Sequence, residues 1–264
     1  MFKKIVKRIF NIVGLEIKKF DKKTLRFSQA GCVENLKKNG FSPSKIIDGG
    51  GAYGDFSQMA SKYYPNIEFV IVEPLVEYKK VLENSLKNLN TKFFYKALSD
   101  KKGSISINVH DDLVGSSILE EVEENNGIRR EVESILLSDL INNEPTLIKL
   151  DLQGAEIIAL NPCKDKLKNS KEIIVLCEAS LFYFFKTDDN KIFDLINFFD
   201  EIDYEIYDIY GAGYRPYDNA LAQIDLVFTH KDSKLNKVNT YADIEKRQEH
   251  NLRYKKRHKN MGII

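Results

Sequence analysis

Ile46-Ile47-Asp48-Gly49-Gly50-Gly51-Ala52-Tyr53-Gly54 is the stretch from which the rest of the chain is read. A short apolar run, Lys45–Asp48, ends at a carboxylate. A glycine-dense turn follows, and Gly54–Tyr64 has the spacing of an amphipathic helix. Glycines at a strand-to-helix turn permit positive φ and let a ligand come close to the main chain. A second apolar run, Glu68–Glu73, ends at Glu73-Pro74. Strand, glycine turn, helix, strand and terminal acid form the layout of a nucleoside-cofactor site. The turn holds one end of the cofactor and the second acid takes the ribose hydroxyls.

The residue ahead of the glycines selects the cofactor. A dinucleotide turn cradles a pyrophosphate, which a carboxylate at Asp48 would repel. The same carboxylate suits the cationic amino group and sulfonium of S-adenosylmethionine (SAM). A tight turn with no ligand is the alternative for Gly49–Gly51 alone, and Glu73 at the next strand end speaks against it.

Outward from this unit, strands and helices alternate. Helical spacing is expected at Thr24–Asn39, Glu77–Asn88, Leu137–Asn142, Ala155–Leu160 and Asp189–Phe199. Strands are expected at Lys92–Leu98, Val132–Ile135, Thr146–Leu150, Glu172–Leu176, Tyr204–Tyr210 and Leu221–Thr229, with Ser104–Val109 as an extra hairpin strand. This predicts an α/β fold with a doubly wound, mostly parallel sheet. The last two strands, joined through the Gly211-Ala212-Gly213 loop without a helix, should be antiparallel, a SAM-methyltransferase trait. Asp112–Arg130 is polar and acidic, and reads either as a mobile loop over a site or as a connector.

The chain divides into a basic amphipathic N-terminal part (1–40), a catalytic domain (41–230) and a basic tail (231–264) with helical spacing at Tyr241–Tyr254. Residues 1–24 and 231–264 carry +6 each, leaving −11 on 25–230 of a net +1. An acidic body argues against a broad nucleic-acid face. Residues 1–20 fit an interfacial helix on anionic lipid, a helix docked on the domain, or a homo-dimer contact. Three cysteines (Cys32, Cys163, Cys177) make no Cys-x-x-Cys pair, as in a reducing cytoplasm. No apolar run approaches the about 20 residues of a membrane span, so a cytoplasmic location, peripheral at most to the inner membrane face, is expected.

Acids close four of the predicted strands: Asp48, Glu73, Asp151 and Glu178. In open α/β sheets the ligand sits outside the strands' carboxyl ends. Lys149, in an apolar strand, needs a counter-ion, with Glu156 or Glu178 as candidates.

Four strings carry a family resemblance: Ile47-Asp48-Gly49-Gly50-Gly51-Ala52-Tyr53-Gly54, Phe69-Val70-Ile71-Val72-Glu73-Pro74, Lys96-Ala97-Leu98-Ser99-Asp100, and Ile148-Lys149-Leu150-Asp151-Leu152-Gln153-Gly154-Ala155-Glu156. With Gln223–Phe228 as closing strand, the chain resembles the FkbM-type SAM-dependent methyltransferases over residues 40–230. Gly50-Gly51 departs from the family's usual single glycine followed by alanine. The resemblance implies a Rossmann-like SAM fold with a seven-stranded sheet, and methyl transfer to a hydroxyl of a sugar, glycan or other small acceptor. It places Asp48, Gly49, Gly50, Gly51, Tyr53 and Gly54 at the methionine part, Glu73 and Pro74 at the ribose, and Ala97 and Leu98 at the adenine edge.

Methyl transfer is an in-line displacement that depends on positioning the acceptor, whose hydroxyl proton must leave. Asp151 is the first candidate for base or orienting group, and a cofactor contact as well; His110 is the second. Asp151 and Glu178 as Mg²⁺ ligands are a less favoured reading. The aromatic run Phe182–Phe185 and the set Tyr207, Tyr210, Tyr214 and Tyr217 could stack on sugar rings or pack internally. Two other functions remain open: an RNA-binding methyltransferase using the basic tail, and a SAM-binding protein without activity.

Overall fold

The computed structural model describes residues 26–122, 127–187, 191–238 and 240–263. The basic helix expected over residues 1–20 lies outside them. Of Thr24–Asn39, the described part is a shorter helix, α1 (Gln29–Lys38), started where Ser28 Oγ accepts the Gly31 N–H at 3.1 Å.

The principal sheet contains β1 (Lys45–Gly49), β2 (Glu68–Val72), β3 (Asn90–Phe94), β7 (Thr146–Leu150), β8 (Ile173–Ser180), β9 (Tyr204–Tyr214) and β10 (Leu221–His230). Their spatial order is β3-β2-β1-β7-β8-β10-β9, and only the pairings of β10 with β8 and β9 are antiparallel. A second sheet, ordered β4-β6-β5, holds β4 (Ala97–Leu98), β5 (Gly103–Val109) and β6 (Ile128–Ile135).

Side-chain alternation along the buried strands divides the core. Ile46, Phe69, Ile71, Leu147, Ile174 and Leu176 pack under α1, α2 (Asp55–Ser61) and α3 (Lys79–Ser85). Ile47, Val70, Val72, Ile148, Leu150 and Val175 pack under α4 (Glu156–Leu160), α5 (Lys164–Lys168) and α6 (Ile192–Glu201). The fold is therefore doubly wound, and the strands' carboxyl ends open on one edge at the reversal between β1 and β7. All three cysteines are buried and unpaired with one another.

Several expectations need correcting. Lys92–Leu98 is not one strand: β3 stops at Phe94, and after Tyr95-Lys96 the chain leaves for the second sheet, where Ala97 pairs with Ser134 and Lys96 Nζ meets Glu133 at 2.8 Å. Gly211-Ala212-Gly213 is not a loop but lies within β9, next to register shifts against β10. There Gly211 takes φ 61°, and a β-carbon on it would collide with the Asp225 carboxylate. Leu137–Asn142 forms only a 3₁₀ turn, Leu137–Asp139, with no side-chain cap at its start. The hairpin partner of β5 is β6, which begins at Ile128 inside the predicted loop.

The tail forms α7 (Ile244–Asn260), which buries no residue. Among the described residues no helix is long and apolar enough to cross a membrane.

Candidate active site

The glycine turn after β1 is stitched into the sheet edge. Gly50 and Gly51 donate their N–H groups to Val72 O (2.9 and 3.3 Å), and Asp151 N–H donates to Gly49 O at 3.1 Å. Gly50, at φ 80°, passes so close to the Asp151 carbonyl that a β-carbon would overlap it. Ala52 takes φ 40°, rare for a residue with a side chain. That conformation aims its N–H at Glu73 Oε2 (2.9 Å), while Leu75 N–H donates to Glu73 Oε1 (2.9 Å). Burial raises the Glu73 pKa, and the two amides only partly offset it. Each carboxylate oxygen retains a second lone pair for a ligand hydroxyl.

These groups border a cavity of about 260 Å³. Gly50, Tyr53, Glu73, Pro74, Ala97, Leu98 and Asp151 line it, so the structure brings those predicted residues together. Val72, Leu75 and Ile107 add apolar walls. The remaining predicted residues do not reach it. Gly49 is packed between Leu98 and Leu150, Gly51 against Ile71, and Gly54, at φ 80°, starts α2.

Asp48 is a correction to the sequence reading. Its carboxylate is fully buried beneath the turn, outside the cavity lining, with Oδ2 accepting from Ser57 Oγ at 2.6 Å. Burial raises its pKa against the pull of Lys149 and Ser57. Lys149 also differs from expectation: its partners are Asp151 Oδ2 at 3.1 Å and Asp48 Oδ1 at 3.9 Å, not Glu156 or Glu178. Burial opposes its charge, but Asp151 and Asp48 outweigh that and hold it as an ammonium.

After β7 the chain turns sharply, with Gln153 at φ 51° and Gly154 at φ 90°. Glu156 closes this turn by accepting Leu152 N–H at 2.7 Å. Burial lifts its pKa to about 7. Gln153 Nε2 donates to Asp151 Oδ1 at 2.7 Å and to Glu178 Oε2 at 3.3 Å. The amide thus spans the two acids weighed as Mg²⁺ ligands. Among the described residues no group of three or more His, Cys, Asp or Glu is placed to hold a metal.

A second cavity of about 790 Å³ adjoins the first and shares Val114, Gly115 and Gln153 with it. His110 lines this cavity and not the first, with Nε2 2.5 Å from Glu121 Oε1. Glu178, Phe182, Tyr183, Phe184, Arg215 and Tyr217 also line it, whereas Tyr210 is buried in the core and outside the wall. Of Asp112–Arg130, read as a mobile loop over a site or as a connector, the segment 112–122 lines the site and is tied down. Ser117 Oγ donates to Gln153 O at 2.7 Å, Ser117 pairs with Asn108, and Val122 N–H donates to Phe184 O at 2.8 Å. Glu121 and Arg215 escaped the sequence reading, since neither falls at a strand end or in a spaced motif.

The lining fits SAM. Glu73 would take the ribose hydroxyls, the apolar walls the adenine, and Asp151 the ammonium, while Gly50 leaves the main chain bare. A family model described as the methyltransferase FkbM domain matches residues 48–216, more than half of the 264-residue chain. No curated protein matches the sequence. Among solved structures, the chain is similar to a precorrin-6y C5,15-methyltransferase from Geobacter metallireducens GS-15 (12% identity, 76% of this chain and 86% of that one, TM-score 0.43). It is also similar to a ribosomal protein L11 methylase from Lactobacillus delbrueckii subsp. bulgaricus (11%, 80% and 80%, 0.43). A third is a precorrin 8w decarboxylase from Methanobacterium thermoautotrophicum (12%, 76% and 88%, 0.43). At these identities and TM-scores the likeness carries no argument about reaction or substrate.

Proposed function

Because the chain belongs to the FkbM methyltransferase family, we propose that it is a SAM-dependent O-methyltransferase acting on an uncharged hydroxyl acceptor: a sugar, glycan or glycan precursor. The observation that carries this reading is the charge balance of the larger cavity's wall. His110 is paired with Glu121, and Arg215 is held by Asp218 through bonds of 2.6 and 2.5 Å. Glu178 is pushed up to about 9, chiefly by burial, and keeps its proton at neutral pH. Among the described residues the wall therefore offers no free cation. It favours a neutral, hydroxyl-rich guest over an anionic one, with Phe182, Phe184 and Tyr217 as ring-sized faces.

SAM supplies a methyl group on a cationic sulfonium. Glu73 would hold the ribose end, and Asp151 would orient the methionine end. Asp151 has both oxygens engaged, one by Lys149 and one by Gln153. His110, whose ring is backed by Glu121, would take the proton of the acceptor hydroxyl.

Calorimetry with SAM and with NAD tests the cofactor: SAM should bind and NAD should not, and absence of SAM binding ends the reading. Label transfer from methyl-labelled SAM tests the acceptor. Label in neutral saccharides supports the proposal, and label in RNA at low salt favours the basic tail as an RNA-binding element. Label in neither, with SAM bound, leaves a binding protein without activity.

A further inference from the structure

The Lys149–Glu156 string contains a residue that the cofactor and proton roles leave unused. Gln153 lines both cavities, and its carboxamide joins Asp151 on the donor side to Glu178 on the acceptor side. A left-handed φ of 51° and the bond from Ser117 Oγ to its carbonyl fix it at the boundary that a methyl group would cross. Glu178, within β8 two residues before its end, is opposed on β10 by Asp225. Around it stand Lys149 on β7, Asp151 beyond that strand, Glu156 on α4 and Asp225. Farther along the cavity wall are His110, Glu121 and Arg215. Lys149 is taken by Asp151 and Asp48, His110 by Glu121, and Arg215 by Asp218. Lys149, the cation that acts on Glu178, is thus already engaged by other acids. Its Oε2 accepts from Gln153, so the proton belongs on Oε1.

We propose that Glu178, positioned by Gln153, is the specificity-determining residue for the acceptor, its neutral carboxyl donating a hydrogen bond to an acceptor oxygen beside the methylated hydroxyl. The inference rests on the acceptor reading above and names the chemistry selected: a second, uncharged oxygen such as a neighbouring sugar hydroxyl. An acceptor with a carboxylate there would also satisfy the bond, but would place a second acid among Asp151, Glu156 and Asp225.

The test is steady-state kinetics of the full chain on a neutral saccharide acceptor, with SAM affinity measured in parallel. Glu178→Ala should raise the acceptor KM about tenfold, the loss of one hydrogen bond, with SAM affinity unchanged. Glu178→Gln retains an N–H donor and should recover most of that loss. In the wild type kcat/KM should fall above pH about 9, where Glu178 loses its proton, and Glu178→Gln should lack that limb. Gln153→Ala should raise KM in the same direction, and it decides the matter with Glu178→Gln if the alanine variant at 178 does not fold. Unchanged KM in Glu178→Ala, or an alkaline limb that persists in Glu178→Gln, overturns the inference while leaving the methyltransferase reading intact. Failure of the wild type to bind SAM overturns both.

Discussion

Glu73 and Lys149 show why single residues matter at this sheet edge. Both oxygens of Glu73 are aligned by main-chain N–H groups, so the carboxylate is pre-oriented before any ligand arrives. Glu73→Gln keeps the shape but replaces one oxygen by a donor. SAM affinity should fall at least about tenfold, in line with the roughly 1.5–3 kcal/mol of hydrogen bonds to a charged group. Isothermal calorimetry measures it, and unaltered affinity would remove Glu73 from the site. Lys149 is the cation between Asp48 and Asp151. Lys149→Met should destabilise the protein by about 3–5 kcal/mol, the usual cost of breaking a buried pair. Urea titration reads this directly; a loss below about 1 kcal/mol would mean the acids are protonated without it.

At the scale of elements, the second sheet shapes the site. By leaving β3 at Tyr95, the chain carries Ala97 and Leu98 into a strand beside β6, where they line the smaller cavity. Residues 110–122 then close over the strand ends through Ser117 and Val122. The opposite case is α7, which buries nothing. Removing residues 241–264 should leave Tm within about 2 °C, the range of surface changes in a domain of this size. A drop of many degrees in a thermal melt would show that the helix is docked. The same truncation should abolish any retention on RNA, if the basic tail causes it.

For the whole molecule, the decisive property is an excess of buried acid. Glu178 is raised to about 9 and Glu156 and Asp225 to about 7, in each case chiefly by burial. A carboxyl with a raised folded pKa holds a proton that the unfolded chain releases. Its stabilisation is complete below the unfolded carboxylate range, about 4, and is lost as pH rises through the folded values. Tm should therefore decline between pH 5 and 9, and Glu178→Gln should flatten the upper part of that decline. A Tm that climbs over the same interval would contradict the burial of these groups.

The sequence by itself determined the doubly wound order, the glycine turn after the first strand and the antiparallel end. These follow from local signals: apolar runs of strand length, glycines where a side chain collides, and acids closing strands. It also held Glu73, Asp151 and His110. Only the tertiary structure decided what those acids face. Asp48, placed against the ligand by its position before the glycines, turns under the turn toward Ser57 and Lys149, because a buried lysine draws whichever carboxylates lie across the neighbouring strand. The pairing of His110 with Glu121, and of Gln153 with Glu178, joins segments distant in the chain. No local pattern encodes such contacts; they arise where separate strand ends and a covering loop pack at one edge of the sheet.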